Sequence, residues 1–130
     1  MNIRLIGVQK KFGNQLLFDD VHFTFPEKGL VTILGHSGCG KTTLLKMVAG
    51  LDEDYVGSIQ LGTFSLTGSS SAEREKFRLE HVGFVFQDFR LLNMDTVEAN
   101  LLLSYLPFHR NHPTRQKRLV REMLHWVGLD

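Results

Sequence analysis

At 130 residues, 42% of them hydrophobic and 22% charged, the chain is long enough for one domain with its own core and too apolar for a disordered tail. Fifteen basic against fourteen acidic residues leave a formal charge of +1, which supplies no general field for nucleic acid or an anionic membrane, so any affinity for phosphate has to be local. The single cysteine, Cys39, excludes an internal disulfide and a zinc site and suits a reducing compartment, and no apolar run nears the about 20 residues of a bilayer span.

In chain order, Ile3 and Leu5 alternate with polar neighbours, and so do Val21, Phe23 and Phe25 and later Ile59 and Leu61. This period predicts antiparallel strands with one wet face. Leu30 to Leu34 and Val82 to Phe86 are nearly continuous apolar runs, which predict strands covered on both sides by helices in an α/β core. Leu44, Met47, Val48 and Leu51 recur at helical spacing and predict a helix ending near Gly50. A surface loop is expected over 66–72, and Ser70 with Glu73 has the spacing of a capping box for a short helix through Leu79. Thr96 to Leu106 should be helical and end before Pro107. Pro113 can open a last helix with the stripe Leu119, Val120, Met123, Leu124 and Val127, stopped by Gly128. No internal repeat, low-complexity tract or linker divides the chain, and its start carries no export signal.

Between the first buried run and the first helix stands GHSGCGKTT, residues 35–43, which satisfies G-x-x-x-x-G-K-[ST] in a strand-to-helix setting. Gly35, Gly38 and Gly40 lack a Cβ and can take positive φ, so that consecutive amides point into one concavity at a helix N-terminus, where unpaired donors and the helix dipole favour an anion. Lys41 would reach the β- and γ-phosphates and Thr42 would ligate Mg²⁺. The backbone through Ser37, Gly38, Cys39, Gly40 and Thr43 would cradle the rest, making the expected ligand a nucleoside triphosphate with magnesium. The Cys39 thiol and His36 are read as bystanders.

Lys11-Phe12-Gly13 upstream, the unbroken stretch GHSGCGKTTLLKMVAGLDEDYVGSI and VGFVFQD at 82–88 together resemble the nucleotide-binding subunits of ABC transporters over essentially the whole chain. Ser71 to Asn100 looks most like the branch that exports lipoproteins, antimicrobial peptides and macrolides. The resemblance implies a P-loop NTPase core of parallel buried strands, an antiparallel β subdomain and the start of a helical subdomain, divided as 1–86 and 87–130. It implies that Phe12 stacks on adenine and that Gln87 bridges Mg²⁺ and the attacking water. It also implies a cytoplasmic subunit at the inner face of the membrane, which pairs with a second copy and docks on a transmembrane permease without spanning the membrane or binding nucleic acid. Phe89, Leu91, Leu92 and Met94 suit a socket for that permease or the chain's own core, and the basic set Arg110, Arg115, Lys117, Arg118 and Arg121 is read as a solvated helix face.

The family's LSGGQ-type loop is absent, no run of four apolar residues leads into an Asp-Glu pair, and no histidine stands in the switch context. The chain is therefore expected to be the N-terminal portion of a longer subunit, able to hold ATP and Mg²⁺ but without meaningful turnover alone, since phosphoryl transfer depends on positioning and charge stabilisation. A nucleotide-binding module with a regulatory or scaffolding role and no transport stays open at this point.

Overall fold

A computed structural model describes residues 1–109 and 113–129, with side chains outside 105–109 and 113. It forms two compact units, Met1–Val82 and Gly83–Asp130. Arg110 of the expected basic face lies outside the described residues.

In the first unit the alternating segments become β1 (Ile3–Phe12), β2 (Gln15–Phe25) and β3 (Val56–Leu61), joined by a short β4 (Phe64–Ser65). They make one antiparallel sheet in the order β2-β1-β3-β4. Leu5, Val8, Ile59 and Leu61 are buried with Met47 of α1 (Lys41–Val48) and Leu66, while Phe77 of α2 (Ser71–His81) packs at the margin.

The face assignment changes within β1. Leu5 and Val8 both point inward although they are three apart, because the register with both neighbours slips between them and Gly7 takes φ 60°. One extra residue in one strand reverses the phase of everything after it. Past the slip Val8 and Lys10 are buried, whereas Phe12 at the end of the strand is exposed.

The helix ends follow the expected chemistry. At the end of α1 Leu51 N donates to Lys46 O at 2.8 Å and Gly50 N to Met47 O at 3.0 Å, with Gly50 at φ 67°. This left-handed closure satisfies carbonyls that the last turn would leave open. At α2 the Ser70 hydroxyl accepts from Glu73 N, and the Glu73 carboxylate accepts from Ser70 N at 2.7 Å, so the box is complete. Both hydrogen bonds from Ser70 to the Glu73 carboxylate, first that of the hydroxyl and then that of the amide, hold its pKa below the ordinary value of 4.5. A depressed carboxyl stabilises the fold above its unfolded pKa and stops doing so as pH falls through the folded one. Ser70→Ala should therefore lower the urea midpoint at neutral pH, and the loss should shrink as pH falls below 4.5; a loss independent of pH would contradict the box.

In the second unit α3 (Val97–His109) and α4 (Pro113–Trp126) pack together around the buried Val120. Thr96 caps α3 through Ala99 N at 3.1 Å, and the Asn100 side chain exchanges two hydrogen bonds with the backbone of Leu92. α4 starts at Pro113 and closes on Gly128, at φ 71°.

Two expectations fail. α3 continues through Pro107 to His109 instead of stopping before it, because a proline removes one amide donor and crowds one carbonyl, which a helix near its end accommodates without breaking. The runs Leu30–Leu34 and Val82–Phe86 join no sheet among the described residues, and Leu30 and Val85 are 95% and 91% exposed. A strand buried on both faces needs neighbours on both edges, and the sheet present here pairs only antiparallel segments. Among the described residues these two runs are therefore not paired as parallel strands, while the antiparallel sheet and the helices of the α/β class are present.

Candidate functional site

β2 leads through residues 26–40 into α1, whose N-cap Gly40 is left-handed at φ 98° and has no side-chain cap. Gly38 is likewise at φ 81°. The requirement for glycine at 40 is steric as well: a Cβ there would lie 2.9 Å from Phe18 Cζ and 3.0 Å from Leu17 Cδ2, so the loop rests directly on the tip of the β1–β2 hairpin. At Gly35 a Cβ would stand 2.4 Å from Cys39 Sγ, which shows where the thiol goes: against the loop's own backbone.

Within the loop Cys39 N reaches His36 O at 3.4 Å and Leu44 N begins the helix ladder on Gly40 O at 2.9 Å. The amides of Gly38, Gly40, Lys41, Thr42 and Thr43 find no acceptor among the described residues. They line the first turn of α1, where the helix dipole adds to their attraction for an anion. Lys41 folds back over the same loop, its Nζ donating to Gly35 O and to His36 O, both at 2.7 Å, with Cys39 Sγ at 3.7 Å. The Lys41 ammonium and the row of acceptor-free amides thus belong to one loop and the first turn of the helix that follows it. Thr42 is exposed beside them, a hard oxygen donor of the kind Mg²⁺ accepts. Ser37 is exposed on the loop, with His36 Nδ1 3.0 Å from its carbonyl oxygen.

Phe12 closes the β1–β2 hairpin opposite Gln15 and is 55% exposed. It belongs to the same unit as the loop, and the strand partners beside it, Phe18 and Leu16, flank the Leu17 that touches the Gly40 position. Gln87 belongs to the other unit, where it is exposed in a turn closed by Phe89 N on Phe86 O at 3.2 Å. The two residues after that turn's centre, Phe89 and Arg90, both take left-handed backbone, at φ 56° and 50°, and the Arg90 guanidinium lies 4.2 Å from the Phe86 ring centroid. Such conformations cost on the order of 1–3 kcal/mol each in a non-glycine residue and collect at functional turns.

One charged group near the site has no role in the sequence reading. Lys10 is buried on β1 and bound to Asp52 and Asp54 of the loop after α1. The signal that could have found it is the isolated glycine in a strand pattern, Gly7, which marks a bulge and with it a change of face.

Comparison with known proteins converges on one family. Its model, described as ABC transporter, matches residues 18–130. The sulfate/thiosulfate import ATP-binding protein CysA of Vibrio vulnificus is 35% identical over 133 residues, covering 100% of this chain and 37% of that protein. The protein of the same name from Ralstonia nicotianae is 42% identical, covering 100% of this chain and 34% of its own length. Among solved structures, a dimeric ATP-binding cassette, MJ0796, bound to ADP and Pi, superposes with a TM-score of 0.84 at 27% identity over 98% of this chain and 58% of that one. The chain therefore spans about a third of the length of the curated relatives it matches. Their names concern import, not the export branch that Ser71 to Asn100 resembles.

Proposed function

We infer from its place in the ABC transporter family, to which the chain belongs, that Gly35–Thr43 grips the phosphates of Mg-ATP as part of a transporter's ATP-binding subunit. The observation that carries this is the row of acceptor-free amides at the start of α1 with Lys41 bent over it. On binding, Lys41 exchanges the carbonyls of Gly35 and His36 for the β- and γ-phosphates, the amides of residues 38–43 hold the β-phosphate, and Thr43 sits near the α-phosphate. Thr42 would offer its hydroxyl to Mg²⁺ and Phe12 would stack on adenine, and the role toward Mg²⁺ and the attacking water that the family resemblance implies would fall to Gln87. Bound magnesium supplies charge neutralisation between phosphates.

Turnover is read as a property of a longer subunit paired with a second copy, and these residues alone as binding without hydrolysing. Phe89, Leu91, Leu92 and Met94 are exposed, Met94 at 99%, and suit a permease docking on the cytoplasmic side of a membrane. Among the described residues no helix is long and apolar enough to cross one. The names of the relatives support import of a sulfate-like anion over export.

Thermal unfolding with and without Mg-ATP tests the binding. At 100 times its Kd the nucleotide should add about 2.7 kcal/mol of stability, and Mg-AMP at the same concentration much less. Equal responses to the two would overturn the phosphate grip.

A further inference from the structure

Lysine is almost never fully buried unless paired, and Lys10 has 1% of its side chain exposed. Its Nζ donates to Asp52 Oδ1 at 2.9 Å, to the Asp54 carbonyl oxygen at 2.5 Å and to Asp54 Oδ2 at 3.3 Å. All three ammonium donors are used. Burial by itself would lower the lysine pKa, but the hydrogen bonds and charges of Asp52 and Asp54 outweigh it and hold the pKa above 10.5, so the charge persists. For stability alone, apolar packing of similar volume would serve as well as such a pair. What apolar packing cannot provide is a fixed positive charge under an aromatic ring, and Lys10 Nζ lies 5.0 Å from the centroid of Phe12.

We propose that Lys10 is a positioning residue for the nucleotide base: its ammonium holds the Phe12 ring from the core side and draws ring electron density inward, leaving the outer face receptive to an electron-rich purine. The proposal rests on Phe12 stacking on the base. A cation over a ring is attracted by the ring's quadrupole, and stacking improves as the electron distributions of two faces become complementary. The scaffold links this device to the phosphate loop at both ends of α1. Phe18, the strand partner of Lys10, lies beneath Gly40, and Asp52 and Asp54 follow the closure at Gly50.

Affinities of the full chain for Mg-ATP and for Mg-tripolyphosphate, which has the phosphates and no base, provide the test in the wild type, Lys10→Met and Lys10→Arg. Lys10→Met should weaken ATP about two- to fivefold and leave tripolyphosphate unchanged, with Lys10→Arg restoring ATP. Lys10→Met/Asp52→Asn, which leaves no buried unpaired charge, carries the same expectation should the single variant not fold. Equal weakening of both ligands, or of neither, overturns the role of Lys10. A wild type indifferent to both overturns the nucleotide reading and this proposal with it.

Discussion

Lys41→Ala should remove most of the stabilisation that Mg-ATP gives while leaving the empty protein as stable as before. The ammonium makes its two short hydrogen bonds to Gly35 O and His36 O, both on exposed residues, so water can take its place there, and a surface change of this kind costs within about 0.5 kcal/mol. Against phosphate the loss is larger. Hydrogen bonds to charged groups contribute about 1.5–3 kcal/mol, so a nucleotide concentration that adds about 2.7 kcal/mol to the wild type should add only about 0.3–1.3 kcal/mol to the variant. The measurement is the shift in urea midpoint with ligand in both proteins at one nucleotide concentration. A shift of the same size in both would mean that triphosphate binds elsewhere.

Gly57→Ala should be the most damaging single methyl in the first unit. Gly57 stands at φ 97°, and a Cβ would lie 2.3 Å from Gly7 O, 2.6 Å from Gly7 C and 2.8 Å from Ile6 O, all backbone atoms of the neighbouring strand. Neither a rotamer change nor a side-chain shift can relieve that contact. A cost on the order of 2–4 kcal/mol is expected, the sum of left-handed strain and a forced separation of β1 from β3. Gly68 provides the control, since it too is left-handed, at φ 85°, but a Cβ there meets nothing within 4 Å; Gly68→Ala should cost about 1 kcal/mol. Equal midpoints in urea for the two variants would show that the strands yield and that the contact does not matter.

These two residues also mark how far the sequence was legible. The phosphate loop was readable because its chemistry is local: Gly38, Gly40 and Lys41 act through backbone and charge within a few positions of one another. Capping at Ser70, the start at Pro113 and the stops at Gly50 and Gly128 are local in the same way. Ile59 and Leu61 went to the core because period-two alternation holds as long as the register does. The bulge where Gly7 faces Gly57 was not readable, since it depends on two strands some fifty positions apart meeting, and Lys10 was missed with it. The apolar runs Leu30–Leu34 and Val82–Phe86 mislead because apolarity reports what a segment would bury, not whether neighbours are there to pair with it. Proline's missing amide donor likewise overstated the stop at Pro107.

The brevity of α1 has a consequence of its own. At eight residues it falls short of the length at which a helix persists alone in water. Its integrity is borrowed from Met47, which is fully enclosed, and from the left-handed lock at Gly50. Two turns so anchored rise and fall as one cooperative segment. Whatever settles on the amides at one end therefore tightens the breathing of the whole segment, and a loosening at Met47, remote from any phosphate, would be felt as a weaker hold on ligand.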